Sequence, residues 1–194
     1  MPHTKETSLP TAEQLDMERR RLRYKRRYNR TLRSTVAILI VVAALAVLAA
    51  TLWMPVLRVY GSSMAPTLHN GEILISVKTK DFSSGDIIAF YHGNKLLIKR
   101  YIAGPSDYVN VDEDGSVSVN GTLLDEPYLA EKAYGEADIE FPYQVPDQRY
   151  FVMGDNRSVS IDSRSSIVGC IAGDQIVGKV VFRVWPLSAF GPLN

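Results

Sequence analysis

Twenty consecutive residues without a charge, Thr35 to Met54, constrain this chain more than any other feature in it. At a helical rise of ~1.5 Å per residue they reach about 30 Å, the thickness of a bilayer's hydrocarbon core. Trp53 stands at one end, where an interfacial aromatic is expected. A cleavable signal peptide is the competing reading, with Ala44-Leu45-Ala46 as small residues at suitable spacing. The apolar stretch exceeds the roughly 7–15 residues of a signal-peptide core, and its N-terminal flank is long, which favours an uncleaved anchor. That flank is crowded with Arg19, Arg20, Arg21, Arg23, Lys25, Arg26, Arg27, Arg30 and Arg33. Basic flanks stay inside, so residues 1–34 are expected to form a cytoplasmic tail, 35–54 the anchor helix, and 55–194 an extracytoplasmic domain. Residues 1 to about 18, polar and carrying Pro2 and Pro10, read as disordered, and Arg19–Arg33 as helix.

The formal net charge of +1 therefore hides an asymmetry: past the basic segment the chain is acidic on balance. This excludes a nucleic-acid binder whose whole surface is basic. The basic run abuts an apolar span and suits anionic lipid headgroups, so the lipid bilayer is the first partner the sequence implies. Cys170 is the single cysteine, so no intrachain disulfide forms and packing must stabilise the outer domain.

That domain reads as mainly β. Glu72–Val77 is a strand, and Asp86–Tyr91, His92-Gly93-Asn94 and Lys95–Ile102 make a hairpin. Val117–Val119 before Asn120-Gly121 is a strand ending in a turn. Tyr150–Met153 and Gln175–Val184 are further strands. Residues 125–148, with Pro127, Pro142, Pro146 and many acidic groups, read as an irregular excursion.

Three stretches carry candidate chemistry. Gly61-Ser62-Ser63-Met64-Ala65-Pro66-Thr67-Leu68 is a serine loop bounded by glycine and proline, a few residues past the apolar span. Proline fixes its own φ and biases the residue before it toward extended backbone, so such a loop can aim one hydroxyl in one direction. Lys99 lies in the second hairpin strand, where alternation puts it on one face with Leu97 and Tyr101. Among apolar neighbours a lysine loses hydration and its pKa falls, and a neutral amine can deprotonate a serine. Lowering a lysine from about 10.4 to about 7 costs on the order of 4–5 kcal/mol, so the structural alternative, an amine that snorkels to water at a strand edge, stays open at this point. His69 or His92, oriented by Asp155 or Asp162, offers a competing Ser–His arrangement. The third stretch, Gly154–Arg164, is dense in hydrogen-bonding groups; Ser160 can bond a lysine amine, and Asp162 and Arg164 can pair and hold the loop. No His/Cys cluster suggests a metal, and no cofactor is expected.

Taken together and in this order after one anchor, the stretches resemble the type I signal peptidases, the membrane-bound Ser/Lys leader peptidases of bacteria, in a Gram-positive-like, single-anchor form. Ser63–Leu68 is similar to the family's nucleophile box, Gly85–Phe90 to its second box, Lys99-Arg100 with Pro105 and Asp107 to its general-base box, and Gly154–Arg164 to its last box. Asn120-Gly121, Glu126-Pro127-Tyr128 and Gly178-Lys179 through Trp185-Pro186-Leu187 add to the likeness, which covers residues 35–190. The resemblance implies a mostly antiparallel β catalytic domain resting on the membrane. It implies Ser63 as nucleophile, with its own N–H in the oxyanion hole, and Lys99 as general base. Ser160 would orient the lysine, Asp162 and Arg164 would support the site, and Met64 would touch substrate. The implied substrates are exported preproteins with small residues at −1 and −3, met near the secretion translocon. The chain departs from the family at Ala103 and Ser106, where glycine is usual and the turn is expected to differ, and at Ser158-Val159, where Asp-Asn is usual. Gly61 stands where some members carry a second oxyanion hydroxyl. The non-enzymatic alternative is a silent relative that assembles surface pilins; it would be expected to lack the lysine.

Overall fold

A computed structural model describes residues 11–193. The first element is a 42-residue helix, α1 (Ala12–Trp53). Thr11 caps it: the Gln14 N–H donates to the Thr11 hydroxyl (3.4 Å), and the Thr11 N–H donates back to the Gln14 side chain (3.0 Å). The expectation of disorder to about residue 18 therefore fails for 12–18; residues 1–10 lie outside the described residues. The basic segment and the apolar segment are one helix, with no buried residue along it. Among the described residues, those from Ala50 onward form a compact unit of their own.

Within that unit the strands are β1 (Val56–Arg58), β2 (Ile73–Val77), β3 (Ile87–His92), β4 (Lys95–Ala103), β5 (Tyr108–Val111), β6 (Val117–Val119), β7 (Thr122–Leu123), β8 (Tyr143–Gln144), β9 (Arg149–Met153), β10 (Ile171–Ala172), β11 (Ile176–Trp185) and β12 (Gly191–Pro192). The main sheet has the order β1-β2-β11-β3-β4-β9-β10, with β12 also on β11; a second sheet runs β7-β6-β5-β8. Every pairing is antiparallel. The fold is mainly β behind one N-terminal apolar helix, as the sequence predicts.

The near-continuous apolar run of β3 follows from its central place in the main sheet. Ile87 and Ala89 pack on one face with Leu57, Met64, Leu68 and Leu74. Ile88 and Phe90 pack on the other with Val152 and Ile171. Strands covered on both faces lose the inside–outside alternation of half-buried ones. A third cluster, including Ile102, Val109, Val117, Phe151 and Met153, joins the end of the main sheet to the small one. The tight turn Gly93-Asn94 joins β3 to β4 in the predicted hairpin. Ser106 stands in the left-handed region (φ 68°), the conformation a glycine would hold, and the Gly104 N–H donates to Asp107 Oδ2 (2.8 Å). The turn therefore keeps a glycine-like backbone despite the substituted residues.

Candidate active site

β4 buries two consecutive cations. Lys99 is 3% exposed and Arg100 1%, and in an alternating strand they point to opposite faces. The Lys99 amine donates to the Ser160 hydroxyl at 2.9 Å. Burial pulls the Lys99 pKa down from 10.5 to about 8; the Asp162 and Asp155 carboxylates raise it and Arg164 lowers it. Desolvation wins because the nearest hydrogen-bond partner is a neutral hydroxyl.

The serine loop meets the same place through the loop after β9. The Asn156 N–H donates to the Ser63 carbonyl at 3.0 Å. A Cβ on Gly154 would lie 2.5 Å from that carbonyl oxygen and closer still to the Ser160 hydroxyl. Only glycine lets these two segments approach so closely. Ser63 is half-buried, and its neighbour Met64 is 3% exposed within the cluster under β1 and β3. Any contact of Met64 with a substrate must use the small part of its surface left open.

Asp162 and Arg164 are both fully buried and pair at 2.8 Å. Asp162 Oδ2 also accepts the Gly154 N–H (2.9 Å), while Arg164 donates to the carbonyls of Arg157 (3.0 Å) and Ser160 (3.3 Å). The pair thus ties both ends of the loop that carries Ser160. Of the two candidate histidines, His69 is exposed and lies 3.7 Å from Glu72, and His92 closes β3 at the hairpin. Asp155 and Asp162 are held by Arg100 and Arg164, so neither is placed to orient a histidine.

A hollow of about 480 Å³ lined by Gly61, Ser62, Ala65, Leu68, His69 and Asn70 adjoins the serine loop. A larger groove of about 1630 Å³, with Phe82, Tyr91, Arg149 and Tyr150 in its wall, contains none of the candidate residues. The site is located by its buried polar groups, not by cavity size.

The signal peptidase family, peptidase S26, matches residues 31–185. The chain belongs to this family. A signal peptidase I of Bacillus amyloliquefaciens is 37% identical over 161 residues, covering 77% of this chain and 86% of that protein. Signal peptidase IB of Staphylococcus aureus is 41% identical over 151 residues, covering 67% and 77%. A solved signal peptidase I from Enterococcus faecalis is 30% identical, covers 53% of this chain and 98% of its own, and superposes with a TM-score of 0.45.

Sequence reasoning missed several groups around the candidate site of this signal peptidase family member. Arg100 donates to both oxygens of Asp155 (2.8 and 2.6 Å) and to the Gly85 carbonyl (2.5 Å). The Thr67 hydroxyl donates to Asp155 Oδ2 (2.5 Å), which ties the serine loop to the same carboxylate. Arg157 pairs with Glu126, both nearly fully buried. The signal available was Lys99-Arg100 itself: two adjacent cations in a strand with apolar neighbours on both faces require buried partners on both.

Proposed function

We propose that this protein is a membrane-anchored serine endopeptidase that removes N-terminal signal peptides from exported preproteins, with Ser63 as nucleophile and Lys99 as general base. The observation that carries this reading is the Lys99 amine: buried, bonded to the Ser160 hydroxyl, and lowered to a pKa of about 8. A lysine in that state is neutral in a useful fraction of molecules near neutral pH and can accept a proton.

In the proposed reaction, the Ser63 hydroxyl attacks the scissile carbonyl while its proton passes to the neutral Lys99 amine. The resulting ammonium gives that proton to the departing amine as the C–N bond breaks. The ester left on Ser63 is hydrolysed by water, activated by Lys99 in turn. The Ser63 backbone N–H would stabilise the oxyanion. Ser160 orients the lysine lone pair, and Asp162 and Arg164 hold the loop that carries Ser160. Met64 contributes a wall to a pocket that takes only small side chains at −1. The commitment of Asp155 and Asp162 to arginines argues against a histidine base. The presence of Lys99 argues against the silent, pilin-assembling alternative.

Residues 35–54 would span the cytoplasmic membrane, with the basic tail 1–34 inside and 55–194 outside. The support is the charge asymmetry about the apolar half of α1, whose mean hydropathy reaches 2.8 over its most apolar window. That arrangement would put the domain on the side of the membrane where exported preproteins emerge from the translocon.

The test is incubation of the full-length protein in detergent with a purified preprotein. Cleavage at the signal-peptide junction is expected, with loss of activity in Lys99→Ala. Replacing alanine by leucine at −1 should slow cleavage well over tenfold, since each misfitted methylene costs roughly 1–3 kcal/mol. Full activity of Lys99→Ala would overturn the Ser/Lys assignment.

A further inference from the structure

Residues 124–142 connect the small sheet's β7 to β8 and contain no strand of their own. They nonetheless supply two side chains to the centre of the main domain. The Glu126 carboxylate, 9% exposed as a residue, accepts from both terminal guanidinium nitrogens of Arg157. The Tyr128 hydroxyl donates to Glu126 Oε1 at 2.7 Å, and the Tyr128 ring covers the Arg100 guanidinium at 3.6 Å from its centroid. Arg100 in turn grips both oxygens of Asp155, and Arg157 Nε donates to the Gly154 carbonyl at 3.2 Å.

These contacts close a ring. From the Gly154 carbonyl it runs through Arg157, Glu126, Tyr128 and Arg100 to Asp155, the residue next to Gly154. The segment enclosed, Gly154–Asn156, touches Ser63 and the residue that holds Lys99: Gly154 abuts the Ser63 carbonyl and the Ser160 hydroxyl that accepts from the Lys99 amine, and the Asn156 N–H holds the Ser63 carbonyl. The excursion closes on the same loop at a second place. Arg164 Nη1 donates to the Tyr134 carbonyl (2.6 Å), and a Cβ on Gly135 (φ 70°) would meet the Arg157 carbonyl and Arg164. Three buried guanidiniums, those of Arg100, Arg157 and Arg164, share this layer. The loop's own carboxylates, Asp155 and Asp162, neutralise two of them, and the third anion comes from the excursion.

We propose that Glu126 and Tyr128 are positioning residues for the peptidase reaction, setting the separation of Ser63 and Lys99 through Arg157, Arg100 and the Gly154–Asn156 segment. The proposal rests on the Ser63/Lys99 reading. A ring face over a guanidinium fixes its plane while leaving its N–H groups free for Asp155. Burial raises the Tyr128 phenol pKa, reinforced by its bond to Glu126, so it stays protonated and donates. Without the ring, Arg100 can tilt, Asp155 can follow, and water can reach the space between the two loops. Lys99 would feel that water directly. Asp162 and Arg164 are unchanged by a Tyr128 substitution, and rehydration outweighs the smaller effect of a displaced Asp155, so the Lys99 pKa moves upward.

The test uses full-length protein in detergent and a preprotein substrate, with thermal unfolding followed in parallel. Tyr128→Leu is expected to lower kcat at least tenfold with KM within threefold, and to move the acid limb of kcat/KM to higher pH by half a unit or more. Tyr128→Phe, which keeps the ring over Arg100, is expected to recover most of the rate. A folded Tyr128→Leu with kcat within twofold of wild type and an unmoved acid limb would overturn the proposal. If Tyr128→Leu does not fold, Glu126→Gln decides: a tenfold fall in kcat at unchanged KM supports positioning, and an unchanged kcat overturns it. Lys99→Ala run beside them separates the two ideas. Activity there sinks the dyad reading itself; inactivity there with a normal Tyr128→Leu sinks only the positioning role.

Discussion

Two kinds of buried cation lie on and around β4, and they are treated oppositely. Arg100, Arg157 and Arg164 each face a carboxylate, Asp155, Glu126 and Asp162 respectively. Lys99, one residue from Arg100 and equally buried, is hydrogen-bonded to a neutral hydroxyl. A guanidinium cannot give up its proton at any ordinary pH, so burying it requires a counter-charge. An amine can be buried without one, because losing its proton relieves the desolvation penalty. The arginine region pairs each charge with a carboxylate; the lysine region gives its amine a neutral hydroxyl.

Putting an arginine in the lysine's place would break this contrast most completely. Lys99→Arg keeps the positive charge but removes the titration, so preprotein cleavage is expected to fall at least about a thousandfold, as with loss of either member of a proton-transfer pair. A cleavage assay at matched folded fraction checks this. Activity within tenfold of wild type would mean that Lys99 acts only as a fixed charge.

Asp162→Ala and Ser160→Ala set the two regions side by side. Removing Asp162 strands a fully buried arginine and an N–H, and should cost about 3–5 kcal/mol of stability. Removing the Ser160 hydroxyl leaves the charges as they are and frees the amine's direction, so a fall in kcat of roughly 10–100-fold with an almost unchanged melting temperature is expected. Denaturant titration and turnover on both variants test the pattern, and a reversed result would exchange the roles.

The third test titrates the lysine. If Lys99 is the base proposed above it must be neutral to act, so kcat/KM should rise with pH through about 8. The sign for stability follows from the same shift. Because the folded pKa lies below the unfolded value, the unfolded chain binds more protons between about 8 and 10.5, and stability should climb with pH across that window. The shift corresponds to about 3 kcal/mol at most. Wild type compared with Lys99→Met by urea unfolding at several pH values isolates this contribution, and parallel curves would show that Lys99 carries no such shift.

Much of the frame was legible from short-range pattern. The β3–β4 hairpin appears as two apolar runs around Gly93-Asn94, and the turn after Val119 as Asn120-Gly121. β1, β5, β7, β8, β10 and β12 went unseen because runs of two to four residues carry too little periodicity to stand out; they are strands because a neighbour offers them a ladder. The start of α1 was placed too late. Its cap, Thr11 with Gln14, was available in the sequence but was outweighed by the polar, proline-containing context. Residues 125–148 read as an irregular excursion and are one as far as β8 (Tyr143–Gln144), yet Glu126 and Tyr128 within it reach the buried arginines of the candidate site.

By itself the sequence determined the apolar span with its basic flank, the antiparallel β character, the serine loop and a lysine set among apolar residues. These are features of neighbours along the chain, and local propensity and hydrophobic periodicity decide them. Only the tertiary structure decided which anion meets which arginine and how far Lys99 is desolvated. The partners lie far apart in sequence: 31 residues for Glu126 and Arg157, 55 for Arg100 and Asp155, 61 for Lys99 and Ser160, and 88 for Thr67 and Asp155. Burial and charge pairing belong to whatever packs around a group, so a lysine's chemistry is set by residues that no local window contains.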